Sequence, residues 1–450
     1  MNRREFIAAG TGAFFISQAS RVFGAASSDR LRFAIVGCHE LGRGFAVMQA
    51  ALRNPGVEIA CVCDVDSRAM DFASDWLVKS GYPAPRKEKD FRKVLEMKDI
   101  DGVISETPDH FHAYSAVMAM RAGKAVYVEK PCAFCPAELE VILKTWKATG
   151  RVMQVGSQRR SIPQYAQAIR ELQAEKFLGD VRVARVWYNT LRQPIGKGKV
   201  SAPPEWFDWD LWQATAPREP FRDNIVPYQW HWFKAWGTGE CGNNSPHFLD
   251  VSRWALGEEE YPVEVTSEGG RFWMPPDDDW QWYDTQNAMF KYRDGRVITW
   301  ECQCGCATKP YMNFSTGSML QGTKGAMFFQ PWSGNDVILF DTKGKELKRW
   351  KGEEGRPVGD GTGNRAGGGA GDTTPEHFGN FCDAIRANDP RRAVANAEVG
   401  VKSSYLSLLG NVAYYAGGKV GIDPQTGRPV GCPAAERIWS REYAKGWELA

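Results

Sequence analysis

A glutamate and a lysine directly follow a short apolar stretch of the chain. Ala125–Val128 has the pattern of a strand buried on both faces, and Glu129, Lys130 and Pro131 come after it. Because proline cannot continue a strand, the charged pair is expected at the strand's carboxyl end. Ligands of open parallel sheets bind just beyond such ends. Lys130 is therefore a candidate catalytic and substrate-binding residue, and Glu129 is a candidate cofactor contact.

A glycine-containing turn near the start of the chain carries a second chemical signal. Leu31–Val36 and Val57–Cys63 predict two buried strands, with a turn and a helical pattern between them. Gly37 permits a tight turn, and Gly42 is expected to let the helix pack closely on the strand. Asp64 follows the second strand, about twenty residues past the turn, where a carboxylate can accept hydrogen bonds from a ribose. This arrangement predicts a dinucleotide site with the pyrophosphate at the helix N-terminus.

One position of this turn departs from the usual glycine fingerprint. The middle glycine of G-x-G-x-x-G is His39 here, so its side chain must point away from the cofactor or the cofactor must shift. Leu41 lies in the same turn and is a further candidate contact. Asp64 favours NAD because a carboxylate repels a 2′-phosphate, while the nearby Arg68 leaves NADP open.

The first part of the chain alternates strands and helices, which is typical of a doubly wound parallel sheet. The strand at Gly102–Ser105 runs into a loop that contains Thr107 and His112. The glycine turn, this loop and the Glu129-Lys130 pair are therefore expected to meet at one crevice. We predict a Rossmann domain over residues 29–156, with Thr107 and His112 among its cofactor contacts.

The remainder of the chain differs in composition and in its pattern of predicted elements. Many of the 18 Trp crowd into its middle, and strand patterns such as Val297–Gln303 follow. We predict an α/β protein whose second domain, residues 157–450, is α+β with a large, mostly antiparallel open sheet. Its tail is expected to pack back on the first domain. Gln158 is a candidate substrate contact, and the glycine-rich residues 352–371 predict a mobile loop.

Asn243, His247 and Asp250 form a second set of candidate site residues. Their spacing of four and three places them on one side of a helix, if the segment is helical. Asp250 could hold the tautomer of the imidazole. From the residues alone, both a structural and a catalytic role for His247 remain open.

Composition excludes several classes of partner. The formal net charge of the 450 residues is +2, which gives no electrostatic case for nucleic acid or an anionic membrane surface. The 11 cysteines include no pair of motifs at zinc-finger spacing, so no metal site is predicted.

The N-terminus reads as a targeting segment. Arg3 and Arg4 precede an apolar, glycine- and alanine-rich run that is too short to span a bilayer as a mature helix. This is the pattern of a twin-arginine signal peptide over residues 1–28, which uses the twin-arginine translocation machinery. We expect a periplasmic or otherwise exported protein, with no membrane span in the mature chain.

Several motifs in this order resemble the Gfo/Idh/MocA oxidoreductase family. They are the glycine turn, Asp64 and residues 107–112, 121–124 and 129–131. The resemblance covers nearly the whole mature chain and implies a cis Lys130–Pro131 bond, a proton-accepting role for His247 and a homo-oligomer. Many dehydrogenases of the family carry an aspartate where this chain has Asn243. An amide cannot take a proton, so Asn243 would mainly position a substrate hydroxyl.

The resemblance implies hydride transfer between NAD(P) and a carbon of a sugar or polyol. Because an exported protein has no obvious soluble pool of nicotinamide, we expect the cofactor to be tightly held. His247 would take the hydroxyl proton, and Lys130 would stabilise the developing alkoxide. One alternative is a glycosidase that oxidises C3 transiently, eliminates the aglycone and re-reduces the sugar. It ranks second because the His/Tyr pattern expected of the glycosidase branch is not evident in the sequence. A third interpretation is a non-catalytic sugar- or nucleotide-binding protein.

Overall fold

The computed structural model describes residues 30–331, 335–352 and 372–449. The first strands are β1 Leu31–Val36, β2 Val57–Cys63, β3 Arg86–Glu88, β4 Gly102–Ser105, β5 Ala125–Val128 and β6 Met153–Val155. The helices between them are α1 Arg43–Ala51, α2 Ser67–Lys79, α3 Phe91–Glu96, α4 Asp109–Arg121 and α5 Pro136–Thr149. All six strands are parallel, in the order β3-β2-β1-β4-β5-β6. This order is that of a doubly wound Rossmann sheet, so the predicted fold of the first half is confirmed.

One strand of this sheet has no apolar signature. β3 reads Arg-Lys-Glu and pairs with β2 alone, at the edge of the sheet. An edge strand with exposed side chains buries almost no apolar surface, so hydrophobic periodicity does not reveal it.

The second half forms a ten-stranded sheet. Its strands are β7 Val181–Asn189, β8 Glu264–Gly270, β9 Thr285–Lys291, β10 Val297–Gln303, β11 Thr316–Gly322, β12 Gly325–Phe329, β13 Val337–Phe340, β14 Glu346–Trp350, β15 Lys419–Ile422 and β16 Pro429–Val430. They lie in the order β14-β13-β12-β11-β7-β10-β9-β8-β15-β16. β7 and β10 pair in parallel, and the other neighbouring strands are antiparallel. The predicted large, mostly antiparallel sheet is confirmed.

Seven helices of the described residues lie in the second half of the chain. They are α6 Pro163–Glu175, α7 Trp209–Gln213, α8 Gly239–Asn244, α9 Pro246–Leu256, α10 Thr374–Arg386, α11 Ala397–Tyr415 and α12 Pro433–Arg437, together with short 3₁₀ helices at Gln158–Ser161 and Gln229–Trp232. Buried and more exposed residues alternate strictly along β10, because α9 and α11 cover one face of the sheet.

Late segments of the chain return to the Rossmann sheet. The ring of Phe378 on α10 lies 5.3 Å from that of Phe33 on β1. In the tail, the Trp447 ring lies 5.2 Å from the Tyr114 ring on α4, and the Arg92 guanidinium lies over it. These contacts cover the first sheet with apolar side chains that lie more than 250 positions later in the sequence.

The predicted export signal, residues 1–28, and residues 353–371 of the predicted mobile loop lie outside the described part of the chain. Among the described residues, no helix has the length and apolar character that crossing a bilayer requires. Nor does this part of the chain contain a group of three or more His, Cys, Asp or Glu side chains able to hold a metal ion. The 11 cysteines are all free thiols here.

Candidate active site

A cleft of about 850 Å³ runs along the carboxyl ends of β1, β2, β4 and β5. Its other wall comes from the second half of the chain, from α7, the 3₁₀ helix Gln229–Trp232, α8 and the first turn of α9. Residues from both halves therefore face one space, at the sheet edge where parallel sheets bind ligands.

Two glycines bring α1 against the end of β1. Gly37 has a φ of +82°, and a Cβ there would lie 2.6 Å from the Glu106 carbonyl oxygen. A Cβ on Gly44 would lie 1.8 Å from the Gly37 carbonyl oxygen. The close packing predicted for Gly42 therefore belongs to Gly44, while Gly42 is the exposed N-cap residue of α1. The chain first makes a turn in which the Gly42 N–H donates to the His39 carbonyl oxygen, and this turn delays the start of the helix.

The other predicted turn residues line the same end of the cleft. His39 Nδ1 accepts a hydrogen bond from the Leu41 N–H at 3.2 Å, so the imidazole folds back on its own turn. The Asp64 carboxylate accepts from the N–H groups of Cys38 at 2.8 Å and Asp66 at 3.0 Å. Burial raises the pKa of Asp64, and these two hydrogen bonds oppose that rise. A carboxylate has about four acceptor positions, so Asp64 can hold the turn and still accept from a ribose.

The N-terminus of α1 suits an anion. Gly42 supplies no side chain to cap the helix, and the first turn contains no acidic residue. The free N–H groups and the helix dipole therefore favour a phosphate at this point. With the tight turn at Gly37 and the carboxylate of Asp64, these residues fit the pyrophosphate and ribose of NAD.

The far end of this region is closed by the Trp-rich segment. The Arg68 guanidinium lies 3.1 Å from the centre of the Trp206 ring and pairs with Asp66 at 2.9 Å. The Ser67 N–H donates to the Trp206 carbonyl oxygen at 3.0 Å. The sequence kept NADP as an alternative cofactor because of Arg68. In the structure, the Arg68 guanidinium already contacts Asp66 and Trp206.

His112 joins two of the predicted strand ends. Its ring nitrogens lie 2.7 Å from the carbonyl oxygens of Thr107 and Pro131. The Lys130–Pro131 bond is cis, as the sequence resemblance implied. The imidazole of His112 therefore shapes the backbone around the cleft, which Thr107 also lines.

Glu129 is held by several neighbours. Its carboxylate accepts from Gln158 Nε2 at 2.8 Å and from the Lys130 N–H at 3.2 Å, and it lies 3.5 Å from Arg43 Nε. The Gln158 amide also donates to the Tyr127 hydroxyl at 3.0 Å. Gln158 borders the cleft as predicted, but in this structure its amide orients Glu129.

Lys130, Asn243 and His247 come together in the cleft. Lys130 Nζ donates to the Asn243 carbonyl oxygen at 2.6 Å. Burial lowers the pKa of Lys130, and Glu129 acts against this. Burial also lowers the pKa of His247 well below its usual range, and the charges of Lys130 and Arg159 add to that effect. The His247 imidazole is therefore neutral and able to accept a proton.

Asp250 requires a correction. Its carboxylate accepts three hydrogen bonds from the Arg160 guanidinium, at 2.8 to 3.0 Å, and a further one from Ser403. Asp250 is only 1% exposed, so it neither orients His247 nor reaches a substrate. It is half of a buried ion pair that anchors α9. Among the described residues, no side chain forms a hydrogen bond with the His247 ring.

A polar cluster at the substrate end was missed by sequence reasoning. Arg192 pairs with the buried Glu240 at 3.1 Å. Its guanidinium also donates to the hydroxyls of Tyr228 at 3.2 Å and Tyr188 at 3.4 Å. Tyr188 and Arg192 are four residues apart, but Tyr228 and Glu240 lie 36 and 48 residues beyond Arg192, so no local spacing links all four.

His231 is a second missed residue, and it lies one 3₁₀ turn after Tyr228. Its Nδ1 is 2.7 Å from the Tyr228 carbonyl oxygen, and its ring stacks 3.6 Å from the Trp230 ring. Burial lowers the pKa of His231 to about 3, so this imidazole is also neutral. The local signal, Tyr-Gln-Trp-His, was interpreted only as part of the Trp-rich segment. Tyr188, Tyr228 and His231 all line the cleft.

The indoles of the Trp-rich segment divide into two groups. Those of Trp206, Trp212 and Trp230 line the cleft. Those of Trp209, Trp232 and Trp236 are buried core. Part of the Trp enrichment therefore serves the fold, and part provides aromatic surface for a ligand.

The fold and the cleft together define a Rossmann sheet suited to NAD and a second sheet whose half of the chain supplies the other wall of the cleft. The model of the GFO_IDH_MocA oxidoreductase family, with an NAD-binding Rossmann fold, matches residues 31–157. The match ends where β6 ends, so it covers the whole Rossmann sheet and supports the predicted cofactor, NAD.

Curated relatives extend the comparison. A glycosyl hydrolase family 109 protein of Stenotrophomonas maltophilia is 27% identical over 359 residues, which cover 72% of this chain and 73% of that protein. One from Saccharopolyspora erythraea is 35% identical over 127 residues, only 27% of each chain. A 4-carboxy-2-hydroxymuconate-6-semialdehyde dehydrogenase of Sphingobium is 31% identical over 161 residues, covering 36% of this chain and 49% of that enzyme.

Solved structures share the fold over both halves. A levoglucosan dehydrogenase complexed with NADH and levoglucosan is 18% identical, with a TM-score of 0.64 over 87% of this chain and 99% of that one. An aldose-aldose oxidoreductase of Caulobacter crescentus, complexed with glycerol, is 17% identical, with a TM-score of 0.65 over 87% and 100%. The chain thus shares the fold of these proteins across both its Rossmann sheet and its ten-stranded sheet.

Proposed function

We propose that the protein transfers hydride between NAD and a hydroxyl-bearing carbon of a carbohydrate or polyol. The observation that carries this proposal is the continuity of the cleft. Gly37 and Asp64 lie at one end, and Lys130 and His247 lie at the other. A ligand that spans both ends would place its reactive part beside two groups able to handle a proton.

His247 is the proton acceptor in this proposal. Its neutral ring lines the cleft and has no hydrogen bond to another described residue, so its nitrogen is available to a substrate hydroxyl. Removing the hydroxyl proton raises the electron density on oxygen, which is what release of a hydride from the same carbon requires.

Lys130 stabilises the oxygen from which the proton leaves. Its Nζ is held by a neutral carbonyl, that of Asn243, so the ammonium charge is retained for the developing alkoxide. The lowered pKa of Lys130 also eases transfer of a proton to or from it. The Asn243 side chain lines the cleft beside it and positions a second substrate hydroxyl.

The first half of the cleft would hold the dinucleotide. Gly37 and the start of α1 would take the pyrophosphate, Asp64 the ribose, and bound NAD supplies the hydride acceptor. The Arg68–Trp206 stack covers this end of the cleft, which supports a cofactor that stays bound through turnover. Purified protein should then carry nicotinamide absorbance without added NAD.

A carbohydrate fits the substrate end. Trp230 offers an aromatic face, and the hydroxyls of Tyr188 and Tyr228 offer polar contacts held by Arg192. In other proteins of this fold, a levoglucosan dehydrogenase holds levoglucosan with NADH, and an aldose-aldose oxidoreductase holds glycerol.

The test is a panel of free sugars and polyols, followed at the nicotinamide absorbance on NAD-loaded protein. Reduction of the cofactor by at least one of them, lost in Lys130→Met and His247→Gln, would support the proposal. Unchanged activity in both variants would favour a non-catalytic binding protein whose apparent turnover comes from a contaminant.

A second candidate is redox-assisted glycoside cleavage. Two observations favour it. A relative that matches 72% of this chain is named as a glycosyl hydrolase, and Tyr228 and His231 add proton-handling groups to the cleft. A glycoside with a chromogenic aglycone separates the two functions. Release of the aglycone without net reduction of NAD indicates cleavage, and net reduction without release indicates a dehydrogenase.

Export by the twin-arginine route is also a proposal, supported by the sequence of residues 1–28. Fractionation of cells that express the full chain tests it. Replacing Arg3 and Arg4 together by lysine should retain the protein in the cytoplasm, and continued export would contradict the proposal.

A further inference from the structure

Glu106 occupies a special place in the cleft. It directly follows β4, between the glycine turn and the Glu129-Lys130 pair, and it lines the cleft. Its carbonyl oxygen lies against Gly37, and a Cβ on Gly44 would lie 3.1 Å from the Glu106 Cβ. These backbone contacts hold the residue against the turn that binds the dinucleotide.

The carboxyl group of Glu106 is buried without a hydrogen bond. Both of its oxygens are inaccessible to solvent, and neither has a hydrogen-bond partner among the described residues. Leaving a buried polar group without a hydrogen bond destabilises the folded protein, so native structures rarely keep one without a reason. Because Glu106 lines the cleft, a rotation of its side chain toward the cleft would let a ligand there supply the missing partner.

The charged groups facing Glu106 come from two elements. Glu129 and Lys130 follow β5, and Arg43 lies at the start of α1. Both cations have closer partners: Arg43 donates to Thr374 at 2.7 Å and lies 3.5 Å from Glu129, and Lys130 donates to Asn243. Burial, with Glu129 adding to it, raises the pKa of Glu106 well above its usual range. The carboxyl group therefore keeps its proton at a pH where exposed glutamates have lost theirs.

We propose that Glu106 is a further cofactor-binding residue, which donates its carboxyl proton in a hydrogen bond to the bound dinucleotide. A protonated carboxyl has one O–H donor, and the phosphates and riboses of a dinucleotide present acceptor oxygens. An ionised Glu106 would have no donor and would repel the phosphate charge.

The affinity for the dinucleotide should depend on pH. The protonated form of Glu106 binds the dinucleotide, so affinity falls as rising pH ionises the group. Because the binding of one proton is linked to the binding of the dinucleotide, Kd can increase by at most about tenfold per pH unit. Binding at a pH above the transition should take up as much as one proton. The inference depends on dinucleotide binding and not on the carbohydrate substrate, so it can fail while the proposed reaction holds, and the reverse.

The experiment measures the Kd of NADH by titration calorimetry, from mildly acidic to alkaline pH, on cofactor-stripped protein. Wild type should lose affinity as the pH rises. Glu106→Gln keeps a neutral donor of the same shape and should bind with a Kd that changes less than about twofold over the range. Glu106→Ala lacks the donor and should bind more weakly at every pH.

Glu301→Gln is a matched control, because Glu301 is a half-buried glutamate on β10 outside the cleft. It should keep the wild-type pH dependence. A second measurement needs no assumption about affinity: wild type should take up protons on binding NADH in weakly buffered alkaline solution, and Glu106→Gln should not. A flat wild-type profile, or the same slope in Glu106→Gln, would overturn the proposal.

Discussion

The Lys130 ammonium group donates a 2.6 Å hydrogen bond to the backbone carbonyl oxygen of Asn243. Lys130 lies two residues after β5 of the Rossmann sheet, and Asn243 lies on α8, 113 residues later in the chain. The acceptor is a neutral carbonyl, so the bond positions the ammonium without neutralising it. The two halves of the candidate active site meet at this bond.

The first prediction concerns this lysine. Lys130→Met removes the charge at similar volume and should lower kcat about 10²–10⁴-fold, the usual contribution of a positioned proton-handling group. Lys124→Met is the matched control, because Lys124 is a buried lysine at the other end of β5 and donates to the carbonyl oxygens of Met97 and Ile100. It should lower the unfolding midpoint and leave kcat per folded molecule unchanged. Equal losses of kcat in both variants would contradict the assignment.

The second prediction concerns pH. A base with a lowered pKa stays neutral in mild acid, so the acid limb of kcat/KM should lie below the ordinary histidine value of 6.5. His247→Gln should remove this limb and lower the rate. His110→Gln is the control, because burial lowers the pKa of that histidine to about 3 and the ring lies outside the cleft, bonded to the Trp212 carbonyl oxygen. If the acid limb persists in His247→Gln, a group other than His247 causes it.

The same two histidines affect stability. Their pKa values are lowered in the folded protein, so protons bind preferentially to the unfolded chain once the pH falls below about 6.5. The free energy of unfolding should therefore decrease as the pH drops from that value, and denaturant unfolding at a series of pH values measures it. His110→Gln should flatten this decrease. An unchanged slope in His110→Gln would show that other groups cause the acid sensitivity.

The third prediction concerns the buried ion pair behind the site. Asp250→Asn leaves the Arg160 guanidinium without its carboxylate and should cost about 3–5 kcal/mol of stability. The pH profile of the surviving activity should stay unchanged, because Asp250 does not contact His247. A shifted acid limb without a loss of stability would restore the role in orienting His247 that the sequence had suggested.

The fourth prediction compares two neighbouring glycines. Gly44→Ala would place a Cβ 1.8 Å from the Gly37 carbonyl oxygen, whereas Gly42→Ala would meet only the His39 carbonyl oxygen at 3.2 Å. Gly44→Ala should cost at least about 2 kcal/mol through overpacking and should abolish NADH binding, because the turn must open. Thermal unfolding and NADH titration measure both effects. Gly42→Ala should retain binding, and equal damage in the two variants would contradict the packing assignment.

The ends of the central strands could be predicted from sequence. Parallel strands buried on both faces carry uninterrupted apolar runs, and the residue after each run must lie at one edge of the sheet. Local pattern was therefore enough to bring Gly37, Asp64 and Lys130 to one crevice. It could not find β3, whose side chains are charged. The apolar face of α10 is periodic in the sequence, but that pattern does not indicate that the helix packs on β1.

The pairing of polar side chains was beyond the reach of any local pattern. Asp250 lies three residues from His247, yet it bonds to Arg160 and Ser403, which are 90 and 153 residues away. Hydrogen-bond partners are chosen by which groups the packed elements bring within about 3 Å, and sequence spacing carries no record of that choice. For the same reason, only the folded chain shows that Arg192 and Glu240 neutralise each other in the cleft wall, while Glu106 is left beside the glycine turn with its carboxyl group unsatisfied.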